Sequence, residues 1–252
     1  MHTPWEWALA FLAAFLVGLS KTGITGMGIL AVALFAGLLP ARESVGIVLI
    51  VLISADIVAV STYRREAHWP SLVRLFPWAA LGVILGAVLM SRIDDALMRR
   101  LIGIIVTGLA VYLVAQRLRG ADAKGNGGES LPGAPRRMVA ALTGISAGFT
   151  TMVANAAGPV MSLYLLSMRL PKYIFIGTAA WYFCAMNLFK VPFGVWAGII
   201  NGHSLLVSVK LIPLALVGAL VGRAAVRHIH QRLFENLVLV LTLIAGVRLL
   251  FR

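Results

Sequence analysis

Lys21 falls inside a long apolar stretch, residues 6–40, where an ionisable side chain needs either a partner or a watery cavity. It is followed by Thr22, Gly23, Thr25, Gly26 and Gly28. Small and hydroxyl-bearing residues in a row favour an unwound turn and leave backbone N–H groups free to point at a ligand. A helix resuming after such a turn carries partial positive charge at its N-terminus, so the break and Lys21 together would make an anion site without a metal. A second stretch, 138–168, offers Thr150, Thr151 and Asn155 ahead of Gly158-Pro159, the same device without the lysine. The competing reading is that the small residues only let helices approach closely while Lys21 snorkels to an interface. The usual behaviour of intramembrane charges favours the binding site.

Three more polar residues lie at membrane depth. Asp56 is near the middle of the apolar stretch 44–63, and Asn187 and Lys190 lie within 174–199. Two roles for Asp56 stand open: it neutralises a lysine structurally, or it takes and releases a proton during transport. These three form the expected coupling or supporting group around the anion site. His228 and His230 alternate with apolar residues among Arg223, Arg227 and Arg232, which reads as a solvated turn and not a metal pair. Gly82/Gly86 and Gly218/Gly222 have no polar companions and read as close helix crossings. No nucleophile elbow, phosphate loop, zinc-protease or dinucleotide pattern occurs in a fitting context, so no enzyme, cofactor or metal is expected.

These residues must be positioned by membrane helices. Of the 252 residues 60% are apolar and only 12% charged, a balance that a water-soluble domain of this size could not hide. Apolar stretches of spanning length cover 6–40, 44–63, 72–91, 97–117, 138–168, 174–199, 204–222 and 233–250. Residues 1–6 lack the basic region of a signal peptide and contain Glu6, so the first stretch is read as mature structure. One cysteine, Cys184, excludes disulfides within the chain and thiolate metal clusters. The net charge of +13 is spread singly or in pairs at helix ends, which argues for topology and against nucleic acid.

A Gly- and Pro-rich polar run, Gly120 to Pro135, lies near the midpoint and divides the chain into a first transmembrane repeat (1–118), a flexible cytoplasmic linker (119–135) and a second repeat (136–252). Sliding one half by about 130 positions aligns them: Gly18 and Ser20 to Gly28 face Gly148 to Gly158, Leu39-Pro40 face Leu170-Pro171, Asp56 faces Asn187, and Pro77 faces Pro213. Stretch 6–40 would be roughly 52 Å of helix against a hydrocarbon core near 30 Å, so it is expected to be a broken helical hairpin, and 138–168 likewise. A hairpin followed by three spans crosses the membrane an odd number of times, which inverts the second repeat relative to the first. On that plan the loops near 64–74, 117–137, 169–172 and 223–232 share one side and hold 13 of the 22 Lys and Arg residues, against 7 at the opposite ends. The positive-inside rule makes the first side cytoplasmic and both termini periplasmic.

The stretches GLSKTGITGMGILAV, SADIVAVSTYRREAHW, GFTTMVANAAGPVMSLYLL and LPKYIFIGTAAWYFCAMNLFKVPF resemble the sulfite exporter TauE/SafE family of anion permeases over essentially the full chain. The resemblance implies a multi-pass carrier of the bacterial inner membrane that exports a small sulfur-containing anion such as sulfite, sulfoacetate or another organosulfonate. Many members have a longer glycine run after the first helix; here Gly23, Gly26 and Gly28 are interrupted, as in the branch with a GLSKTG form. The expected fold is all-α, with two inverted repeats each made of a broken hairpin and three transmembrane helices. The expected partners are the small anion and the lipid bilayer, with a homodimer as a compatible assembly and no nucleic acid. A cation carrier would need several intramembrane carboxylates or His residues at ligand spacing. A membrane-embedded enzyme or assembly factor acting on an anionic lipid or cofactor would need a catalytic cluster at one interface, and the sequence offers none.

Overall fold

The computed structural model describes residues 3–22, 27–94, 96–98, 100–105, 107–108, 111, 136–168 and 170–225, and the regular structure among them is helical throughout. The principal helices are α1 (Pro4–Thr22), α2 (Met27–Leu38), α3 (Ala41–Tyr63), α4 (Trp69–Arg92), α5 (Arg136–Ala154), α6 (Gly158–Ser167), α7 (Lys172–Trp196) and α8 (Gly202–Ala225). Four of them, α3, α4, α7 and α8, are long and apolar enough to cross a membrane. Further helical residues between 96 and 111 fall within the expected span 97–117. The linker 119–135, the stretch 233–250, His228 and His230 lie outside the described residues.

The helix ends follow from local chemistry. Thr3 and Glu6 form a reciprocal capping box, each side chain accepting from the other's backbone N–H at 3.3 Å, with Pro4 in the first helical position. Pro40 and Pro171 stand immediately before α3 and α7. Proline has no N–H and drives the residue before it out of helical geometry, so α2 and α6 stop short of these points. Both expected breaks are present: α1 ends at Thr22 and α2 begins at Met27, while α5 ends at Ala154 and α6 begins at Gly158. Gly28 sits beside Ser20, where a β-carbon would lie 3.3 Å from the serine Oγ. In a continuous helix those residues would be about 12 Å apart, so the chain doubles back between α1 and α2.

The same series of helix lengths runs twice, 19, 12, 23 and 24 residues in α1–α4 and 19, 10, 25 and 24 in α5–α8. Packing exchanges partners between the two series: α1 lies chiefly on α8, and α5 on α4. Glycines allow both crossings. A β-carbon on Gly18 or Gly218 would collide with the carbonyl of Ala215 or Phe15, and one on Gly148 or Gly82 with that of Ala79 or Ile145. Backbones this close leave no room for a side chain, as the sequence reading of Gly82 and Gly218 expected. Helices α3 and α7 run in opposite directions. The end of α3 meets the start of α7, where Trp181 Nε1 donates to the Arg64 carbonyl at 3.3 Å and the His68 N–H to Thr178 Oγ1 at 2.8 Å. At the other end Arg42 donates to the Ile93 and Ala197 carbonyls, both at 2.8 Å, closing the C-termini of α4 and α7.

The outer surface is apolar. Val73, Leu81, Ile84, Leu85 and Val88 form an exposed stripe along α4, and Leu205, Leu206, Val209, Val217 and Leu220 another along α8. Stripes of that length in contact with water would drive aggregation, whereas hydrocarbon receives them without cost.

Gly82→Val and Gly218→Val are expected to cost about 2 kcal/mol or more each by overpacking, read as lower melting temperatures of the detergent-solubilised protein. Gly37→Ala, where a β-carbon meets nothing within 4 Å, should leave the melt unchanged or slightly raised.

Candidate functional site

Two helix ends that carry orphan backbone groups meet at the middle of the fold. The last turn of α1 brings Ser20 and Lys21 to a central cavity of about 700 Å³, counting its open mouth. The break between α5 and α6 brings Asn155, Ala156 and Gly158 to the same space, together with Thr151 from the last turn of α5. From α7 come Ala179, Phe183 and Asn187, one helical turn apart, and from α2 Gly28, Ile29 and Val32. The lining therefore combines polar and cationic groups with aliphatic and aromatic ones.

Lys21 is held on two sides. Its Nζ lies 2.8 Å from Asp56 Oδ1 and 4.2 Å from the centre of the Phe183 ring, and its side chain retains 9% exposure, toward the cavity. The ring face offers a further site of negative potential to the ammonium. Asp56 itself is fully buried and receives Asn187 Nδ2 on its other oxygen at 2.5 Å. Lysine paired with carboxylate, and carboxylate paired with amide, is the arrangement that makes ions tolerable in a low-dielectric interior.

Lys190 stands behind the second break and does not line the cavity. Its Nζ reaches the Thr151 carbonyl at 2.9 Å, Thr151 Oγ1 at 3.0 Å and Asn155 Oδ1 at 2.7 Å. Three acceptors match the three donors of an ammonium, and the first of them is a carbonyl at the negative end of α5 that also accepts the Asn155 N–H at 3.0 Å. Asn155 takes the left-handed conformation, φ 50°, one of the few side chains suited to it, and its Nδ2 donates to the Val45 carbonyl of α3 at 3.0 Å. The break is thus strapped between α7 and α3. At the first break the Tyr63 hydroxyl donates to the Thr22 carbonyl at 2.9 Å, a neutral counterpart of the Lys190 cap.

Of the residues expected from sequence, Lys21, Gly28, Thr151, Asn155 and Asn187 line the cavity, with Asp56 and Lys190 directly behind them. Two expected ligands are placed elsewhere. Thr22 is fully buried and donates to the Ala219 carbonyl of α8 at 2.6 Å, and Thr150 turns its hydroxyl back to the Ser146 carbonyl of its own helix at 2.7 Å. A helix turns 100° per residue, so neighbours of Lys21 and Thr151 need not share their face. Gly23, Thr25 and Gly26 lie outside the described residues. Phe183 went unnoticed in the sequence reading; its position four residues before Asn187, one turn along the same face, was the available signal.

Lys190→Met is expected to cost about 2 kcal/mol, because the Asn155 amide oxygen loses its ammonium donor while the Thr151 carbonyl keeps only the Asn155 N–H, and Thr151→Val about 1 kcal/mol, since two of three acceptors remain. The melting temperatures of the two variants in detergent should fall in that order.

Among the curated proteins and the solved structures, no match was found. The profile of the sulfite exporter TauE/SafE family matches residues 10–249, nearly the whole chain. A helical membrane protein whose polar groups converge on a central cationic cavity is consistent with that match, and the chain belongs to the sulfite exporter TauE/SafE family.

Proposed function

We propose that the protein exports a small sulfur-containing anion, such as sulfite, sulfoacetate or another organosulfonate, by alternating access around the central cavity. The observation that carries this reading is the meeting of Lys21 with the α6 N-terminus at one cavity: Ala156, Gly158 and Met161 line it from the start of α6, opposite Ser20 and Lys21. The Ala156 and Met161 N–H groups donate to the Thr150 and Ala157 carbonyls and Pro159 has none, so an oxyanion seated there would meet the Gly158 N–H and the positive end of α6 on one side and an ammonium on the other. The Asn155 and Asn187 amides supply further donors. The buried cluster holds two lysines and one aspartate, an excess of basic side chains that an anionic ligand would offset.

The alternating motion follows from the organisation of the two halves. Matching helices α3 and α7 run antiparallel, and the matching residues Asp56 and Asn187 touch one another. Contact between equivalent positions belongs on a two-fold axis, and antiparallel equivalents belong to repeats inverted in the membrane, which supports the reading of residues 1–118 and 136–252 as such repeats. Rocking one half against the other about this axis would open the cavity to each side in turn. The end of α3 and the start of α7 share one end of the fold with Arg64 and Arg65, which supports a cytoplasmic location for that end and for the linker 119–135 of a bacterial inner-membrane protein.

Titration of sulfite, sulfoacetate, taurine, sulfate and acetate against the purified protein should give saturable binding of a sulfur-containing anion, weakened at least ~100-fold in Lys21→Ala. Equal binding by the variant would return Lys21 to a packing role. Gly158→Ala, whose added methyl meets nothing within 4 Å of the protein, should fold normally and bind the anion more weakly. For topology, a cysteine at position 125 in a Cys184→Ser background should react with a membrane-impermeant maleimide in inside-out vesicles and resist it in right-side-out ones. The opposite pattern would reverse the orientation.

A further inference from the structure

We infer that Asp56 and Asn187 couple the uptake of one proton to each anion the cavity binds, an inference that rests on the anion site proposed above. Asp56 has no surface on the cavity, yet both its oxygens are held by side chains that do: Lys21 on Oδ1 and Asn187 on Oδ2. The ammonium that an entering anion would meet is therefore the one that neutralises Asp56. In a low-dielectric interior it cannot serve both partners at full strength. As Lys21 turns to the ligand, Asp56 is left as a buried carboxylate without its countercharge, the state a protein avoids by taking up a proton.

Asn187 is suited to both forms of its neighbour. With the carboxylate it donates through Nδ2, while its Oδ1 is buried with no hydrogen-bond partner among the described residues. A protonated Asp56 carries an O–H that needs an acceptor, and a half-turn of the amide presents Oδ1 to it. Leucine at 187 could serve neither form, and aspartate only the protonated one. An orphaned amide oxygen beside the buried carboxylate is costly unless some state of the protein uses it.

No other group among the described residues stands ready to replace Lys21. From α7, Lys190 acts on Asp56 only through space and spends its contacts on Thr151 and Asn155, and Cys184 lies nearby, half-buried. Helix α2 has no charged residue. On α8, Lys210 lies over the Trp7 ring, His203 pairs with Glu43 near the entrance to α3, and Arg223 is in the last turn. The proton taken up leaves with the anion when the cavity opens to the other side and the Lys21–Asp56 pair re-forms.

Calorimetric titration of the full-length protein in detergent with ethanesulfonate and sulfoacetate, in two buffers of different ionisation enthalpy, counts the protons. Neither anion changes charge near neutral pH, so protons taken up belong to the protein. Wild type should take up about one proton per anion. Asp56→Asn should take up none and bind at least ~10-fold more tightly, because Lys21 is released from its internal competitor. Asn187→Leu should bind with a reduced proton count. Binding by wild type without proton uptake overturns the inference while leaving the anion site intact, as does an unchanged count in Asp56→Asn. Absence of binding by wild type, or undiminished binding in Lys21→Gln, overturns the anion site and the coupling together. Should Asp56→Asn fail to fold, the wild-type count still decides.

Discussion

The contact between Asp56 and Asn187 holds the centre of this protein together, since it joins α3 to α7 and fixes what may surround it. A carboxylate buried so completely requires a cation and a hydrogen-bond donor, and the chain supplies them from α1 and α7. Because Lys21 comes from the last turn of α1, meeting Asp56 obliges α1 to end at this depth of the fold. The break that follows is thus tied to the ion pair, and the cavity forms where the chain stops being helix.

The second break obeys the same physics with different residues. At the first, the terminal carbonyl of Thr22 is closed by the Tyr63 hydroxyl; at the second, Lys190 joins the Asn155 N–H on the Thr151 carbonyl in the last turn of α5. Both caps come from long helices that pass behind the breaks, so the helix ends at both breaks are held from α3 and α7, the pair that meets at Asp56 and Asn187. The glycine crossings complete the scheme. They let α1 seat on α8 and α5 on α4 at backbone distance, which leaves the α1–α2 and α5–α6 hairpins clamped between the halves and not free in the bilayer.

Apolar runs, proline punctuation and one lysine out of place were enough to read the helical membrane class, the two interrupted segments and several residues that line the central cavity from the sequence. The reason is that the bilayer imposes strict rules on length and polarity, and residues such as Lys21, Pro40 and Pro171 break them visibly. The reading of a repeat rests on small residues and prolines that recur in the same order, as Gly18 and Gly148 or Pro77 and Pro213 do.

Tertiary structure alone decided which polar residues face the cavity. Thr22 and Lys21 are neighbours in sequence, yet one donates to α8 and the other to α3, because successive helical positions point 100° apart and only packing selects the face. Packing likewise sent Lys190 to the end of α5 rather than to Asp56, turned Thr150 back on its own helix, and set Phe183 beneath the Lys21 ammonium. The sequence by itself determined that buried charges exist and must be paired. Which partner each one takes depends on distances across helices far apart in the chain, and those exist only once the halves have docked.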